Sequence, residues 1–94
     1  MIVLQIEHRV PSFDGWKKAF ENDPIDRKKS GVLRYKVFQR TDNPNYVVID
    51  LEFENMENAE NTLDSLKTLW KKIDGKIVVN PQIRILKLAE SREV

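Results

Sequence analysis

The chain contains a single histidine, His8, and with it the one side chain whose ordinary pKa lets it exchange a proton near neutral pH. His8 lies near the end of an alternating stretch in which Ile2, Leu4, Ile6, His8 and Val10 share one face and Val3, Gln5, Glu7 and Arg9 the other. Tyr35 and Gln39 fall on the same face of a later strand, and Trp16 and Phe20 stand at helical spacing between the two. Brought together, these residues would line an apolar cleft with few polar groups, the ordinary makeup of a small-molecule pocket. A neutral imidazole there accepts a proton, while Tyr35 or Gln39 orients an enol or phenol oxygen. The same residues fit a plainer account, a histidine satisfied at the rim of a core with Trp16, Phe20 and Tyr35 as packing.

Other chemistries lack their residues. With one histidine and no cysteine, only carboxylates are left to hold a metal, and Asp50 and Glu52 are expected opposite basic partners. No G-x-S-x-G elbow occurs, and Gly15, Gly31 and Gly75 stand alone, so no phosphate loop forms. No cofactor and no metal are expected. Nucleic acid is an unsuitable partner, because the strand that would stack bases carries Asp50 and Glu52 and no glycine. Arg27, Lys28 and Lys29 form a short basic run that reads as a solvated helix terminus.

The elements that must position these residues follow from periodicity. Met1 to Val10 is a half-buried strand. Ser12 is an N-cap, and the first helix runs to about Asn22. Asp23 before Pro24 reads as a fresh N-cap, with Pro24 to Ser30 a short turn of helix closed by Gly31. Val32 to Thr41 and Tyr46 to Glu54 are strands joined through Asp42, Asn43, Pro44 and Asn45. Setting Arg40 opposite Tyr46 pairs Phe38 with Val48, Lys36 with Asp50 and Arg34 with Glu52, and puts Leu33, Tyr35 and Val37 with Ile49, Leu51 and Phe53. Asn55 caps a second helix with Met56, Ala59, Leu63, Leu66, Trp70 and Ile73 on one stripe, ended by Gly75. That stripe reads as packing on the sheet. Asn80 and Pro81 make a turn before a last strand from Ile83 to Ala89, whose buried face is open between Ile83 with Ile85 and Leu86 with Leu88. The order predicts a ferredoxin-like βαββαβ sandwich, an antiparallel four-stranded sheet with both helices on one face. Residues 1–94 are read as one domain, with a core over 1–89 and a polar tail over 90–94.

At 94 residues and 11.1 kDa the chain has a thin core, burying only roughly 60–65% of its unfolded surface. It is 40% hydrophobic and 33% charged, with no apolar run long enough to span a membrane, and no signal peptide is expected. With no cysteine, a reducing cytoplasm is the expected location. The net charge of +1 divides as +4 over Met1 to Thr41, −7 over Asp42 to Leu66 and +4 over Lys67 to Val94, which favours pairing within the fold or between subunits. Val3, Phe38, Val48 and an apolar row of the last strand are left on the sheet face away from the helices. We read them as the centre of a homodimer interface rimmed by charge; a solvated sheet face is the alternative.

Several short stretches add a resemblance: His8-Arg9-Val10, the helix opening Phe13-Asp14-Gly15-Trp16-Lys17-Lys18-Ala19-Phe20, Arg27 with Gly31, and Arg40-Thr41-Asp42-Asn43-Pro44-Asn45. In these the chain resembles the dimeric α+β barrel superfamily, in particular a small branch near the antibiotic-biosynthesis-monooxygenase-like proteins. The resemblance implies two sheets packed face to face into a barrel, with the helices outside. It also implies a small-molecule site whose chemistry ranges over cofactor-independent oxygenation, isomerisation, haem degradation and no known activity. Haem is not expected, since the second helix has no histidine. Two functions are carried forward: a cofactor-free enzyme on an aromatic or enolisable substrate, with His8 as proton acceptor, and a non-catalytic ligand-binding or assembly protein.

Overall fold

The computed structural model describes residues 1–73 and 78–94. The elements run β1 (Ile2–Arg9), α1 (Phe13–Glu21), β2 (Arg34–Arg40), β3 (Asn43–Phe53), α2 (Met56–Ile73) and β4 (Val79–Lys87). The four strands form one antiparallel sheet in the order β2-β3-β1-β4, the ferredoxin-like arrangement. Both helices cover the same face, where Leu4, Ile6, Val47, Ile49, Leu51 and Phe53 meet Trp16, Ala59 and the half-buried Leu63 and Leu66.

Local chemistry places the joints. Ser12 is extended and accepts a hydrogen bond from the Gly15 amide at 3.4 Å, opening α1. Asn45 ties that start to the sheet: its side-chain oxygen accepts from the Phe13 amide at 3.1 Å and its carbonyl from the Val10 amide at 2.8 Å. Asn55 opens α2 by accepting from the Asn58 amide at 2.9 Å. Gly75, expected to end α2, lies outside the described residues.

Four expectations are corrected. Pro24 to Ser30 forms no helix: Asp23 and Asp26 both have φ of 51°, so the segment is a run of turns, closed by Gly31 at φ 93°. Asp23 still accepts from the Arg27 amide at 2.9 Å, from a left-handed rather than an extended backbone. Arg40 pairs with Asn43 instead of Tyr46, because a bulge on β3 absorbs Pro44, Asn45 and Tyr46. The turn is therefore Thr41-Asp42, where Asp42 receives two hydrogen bonds from the Arg40 guanidinium at 2.8 and 2.6 Å. Asn80 and Pro81 make no turn before β4; they lie within it as a bulge, with Asn80 at φ 50°. Leu33 and Tyr35 remain 60% and 42% exposed, since β2 is the edge strand and the helices pack over β1 and β3.

The expected register elsewhere stands: Arg34 faces Glu52, Lys36 faces Asp50 and Phe38 faces Val48. Its charges pair differently. Asp50 accepts from Gln5 at 3.0 Å, and Glu7 takes Arg84 at 2.9 Å. On β4, Ile83 and Ile85 pair with Ile6 and Leu4 and face the core, leaving Leu86 beside Val3 on the open face. That face carries Val3, Phe38, Val48 and Leu86, of which Phe38 is 48% exposed. Among the described residues no helix is long and apolar enough to cross a membrane.

Candidate functional site

Between the sheet and the two helices lies a cavity of about 260 Å³. Its floor is Ile6 and His8 of β1 with Ile49 and Leu51 of β3. One wall is Trp16, Ala19 and Phe20 of α1, the other Leu66, Leu69 and Trp70 of α2, and Ile25 and Arg27 close the end. The volume lies just under the roughly 300 Å³ at which ligand pockets ordinarily begin, and well above the roughly 150 Å³ that accommodates benzene. Its surface is almost wholly apolar. Among the described residues His8, Asn22 and Arg27 supply the polar groups, with the indole nitrogens, and none of the lining residues is an Asp or Glu.

His8 is buried, and its Nδ1 lies 3.0 Å from the carbonyl oxygen of Arg9. A carbonyl only accepts, so this bond places the proton on Nδ1 and leaves Nε2 with its lone pair. Among the described residues Nε2 makes no hydrogen bond. Burial holds the imidazole below its ordinary pKa of 6.5, against a smaller opposite pull from the Arg9 carbonyl, so the ring is neutral at neutral pH.

Aromatic contacts run from His8 outward. The Trp16 ring stands 6.1 Å from His8 and 5.1 Å from Phe20, and Phe20 meets Tyr35 edge-on at 5.0 Å. His8, Trp16 and Phe20 thus share the cavity. Tyr35 and Gln39 do not line it. Tyr35 stacks outside Phe20 on the edge strand, and Gln39 is exposed, donating to the Pro44 carbonyl at 3.2 Å.

Arg27 departs from its reading as part of a solvated basic run. Lys28 and Lys29 are exposed, whereas the Arg27 side chain is only 15% exposed, its guanidinium 4.0 Å from the centre of the Phe20 ring and 4.9 Å from that of Tyr35. The left-handed turns at Asp23 and Asp26 fold it back over α1. Ile25 and Val78 are lining residues that periodicity did not single out, and Leu69 lines the cavity from beside Trp70. Among the described residues no cluster of three or more histidines and acids is close enough to hold a metal.

Fold and cavity together define a ferredoxin-like α+β domain with an apolar chamber under its helices. The same fold occurs in a variant of SnoaB, a cofactor-independent oxygenase from Streptomyces nogalater. That chain is 10% identical, with a TM-score of 0.76 over 96% of this chain and 94% of that one. A candidate antibiotic biosynthesis monooxygenase from Nitrosomonas europaea superposes with a TM-score of 0.73 over 96% and 100% of the two chains, at 16% identity. A dimeric ferredoxin-like protein from an uncultured marine organism does so at 0.66 over 99% and 97%, at 13% identity. No protein-family model matches the sequence, and no curated protein matches it significantly. At these identities the likeness is one of fold.

Proposed function

We propose that the chain is a homodimeric small-molecule-binding protein of the dimeric α+β barrel type, whose cavity takes an aromatic or enolisable ligand and whose His8 accepts a proton from it. The observation that carries this reading is the imidazole on the floor of an apolar cavity, neutral, with Nδ1 tied to the Arg9 carbonyl. A ligand hydroxyl or activated C–H gives its proton to Nε2, and the resulting anion is stabilised beside the imidazolium. Return of the proton to another carbon is isomerase-like chemistry. Addition of dioxygen to the anion, with the proton returned to the peroxide and water then lost to leave a carbonyl, is monooxygenase-like, and the folds of the two oxygenase-type neighbours support that branch.

The test is hydrogen exchange at the activated methylene of ethyl benzoylacetate in deuterium oxide, with dioxygen uptake followed alongside. Protein-dependent exchange that falls about 10²–10⁴-fold in His8→Gln supports the proton-acceptor role. Equal rates with the two proteins overturn it. Dioxygen uptake separates the oxygenase-like branch from the isomerase-like one.

A second reading rests on the 3% exposure of His8 and its backbone bond, which also suit a packing residue in a non-catalytic binding or assembly protein. On that reading His8→Gln changes stability and leaves no activity to lose. Pairing through the open sheet face is common to both readings. It is supported by the exposed Phe38 and Leu86 and by the neighbour described as dimeric.

A further inference from the structure

We propose that the cavity selects a small planar aromatic carboxylate, a monoanion whose acid group is held by Arg27 while its ring lies between the two helices. This rests on the reading of the cavity as a binding site.

The charge balance of the lining points to an anion. Arg27 is the one ionised residue among the described residues that line the cavity, and no Asp or Glu joins it there. The Arg27 side chain is only 15% exposed and its guanidinium lies against two aromatic rings, so an acceptor replaces water that the rings exclude. Part of its donor set is committed. Nη1 donates to the Phe20 carbonyl at 2.8 Å, and Nε lies 3.5 Å from the Asp23 carboxylate. Nη2 makes no hydrogen bond among the described residues. Stacking on Phe20 and Tyr35 fixes the plane of the fork before any ligand arrives, so little side-chain freedom is lost on binding.

The same features limit the ligand's charge and size. The Asp23 carboxylate, 3.5 Å from Nε, offsets part of the cation, which suits a single negative charge better than a phosphate dianion. Trp16, Phe20, Leu66 and Trp70 give the remaining volume aromatic and aliphatic walls. A cavity of about 260 Å³ holds one ring or a fused pair, given that roughly 150 Å³ accommodates benzene.

The test compares 2-naphthoate with 2-naphthamide, its neutral analogue of nearly equal shape, by titration calorimetry on the full chain. Both tryptophans, Trp16 and Trp70, line the cavity, so their fluorescence reports entry independently. The expected result is at least tenfold tighter binding of the acid by the unsubstituted protein, falling to near parity in Arg27→Met, with part of the preference kept in Arg27→Lys. The first comparison needs no variant and so survives a misfolded one. Equal affinity for acid and amide, or a preference that persists in Arg27→Met, overturns the assignment of Arg27 and leaves the cavity a binding site. Absence of binding by both probes, with unchanged tryptophan fluorescence, overturns the binding site as well.

Discussion

Replacing Phe38 with aspartate tests the proposed pairing of two sheets at its most exposed aromatic residue. Phe38 stands on the edge strand opposite Val48, 48% exposed on the face that the helices leave open. An aromatic side chain carries roughly 150–250 Å² of surface, so about 100 Å² of Phe38 is in contact with water in the isolated subunit. Covering it at about 25 cal/mol per Å² contributes about 2.5 kcal/mol, and the twofold axis counts it twice, about 5 kcal/mol per dimer. That figure is an upper bound, because some of the area stays at the rim. The aspartate also introduces two carboxylates that must be desolvated if the dimer is to form. Within the subunit the substitution removes little, since the side chain is already half in water. Association should therefore weaken by about three orders of magnitude or more, while the isolated subunit keeps its fold. Light scattering after size exclusion at micromolar concentration should give a dimer mass for the parent chain and a monomer mass for Phe38→Asp. Thermal unfolding of the parent should rise with concentration, and that of the variant should not. A parent chain that is monomeric at these concentrations, or a variant that remains fully dimeric, refutes the reasoning.

Three further outcomes are expected. Trp16→Ala, which empties a buried aromatic site beside the cavity, should cost about 3–5 kcal/mol, read from the urea midpoint at constant m-value. Gly31→Ala should cost about 1–3 kcal/mol by the same measurement, since φ is 93° and the new Cβ would stand 2.6 Å from the side-chain Nδ2 of Asn58; an unchanged midpoint would show that the turn relaxes freely. Because burial lowers the folded-state pKa of His8 below 6.5, the unfolded chain takes up the proton first as pH falls. The contribution of His8 is therefore complete above that value and is lost as pH falls from about 6.5 through the lowered folded-state pKa. His8→Gln should flatten the stability profile as pH falls below about 6.5, and a variant with the parent's slope would assign that slope to other groups.

The order of elements and the core face of β1 are legible in the sequence because a period of two survives across Ile2, Leu4, Ile6 and His8, with no tertiary information needed. The hairpin register is legible too, though not for the reason that first recommends it. Lys36 and Asp50 face one another but form no ion pair, as Asp50 bonds to Gln5. What holds the register is the apolar row of Val37 with Ile49 and Tyr35 with Leu51, since a slip of the edge strand by one residue would turn Val37 and Tyr35 to the open face. The exposure of Leu33 and Tyr35 is a different matter. Their pattern is that of a covered strand, and only the place of β2 at the edge, fixed by β3 pairing with β1, leaves them bare.

Arg27 shows why part of the site was hidden. A run of three basic residues reads as solvated when it is taken to end a helix, because charges at a helix end point outward along its axis. Here there is no such helix. Asp23 and Asp26 enter the left-handed region, and each accepts from a backbone amide downstream, Arg27 at 2.9 Å and Lys29 at 3.3 Å. Aspartate tolerates that conformation better than most residues, but nothing in the local sequence dictates that both adopt it. Once they do, the chain doubles back. The first of three like charges is then laid on Phe20 at the cavity's end, and the other two stay in water. The neutral His8 on the cavity floor and the cationic Arg27 at its end are 19 positions apart in the chain, and their shared cavity depends on those two turns.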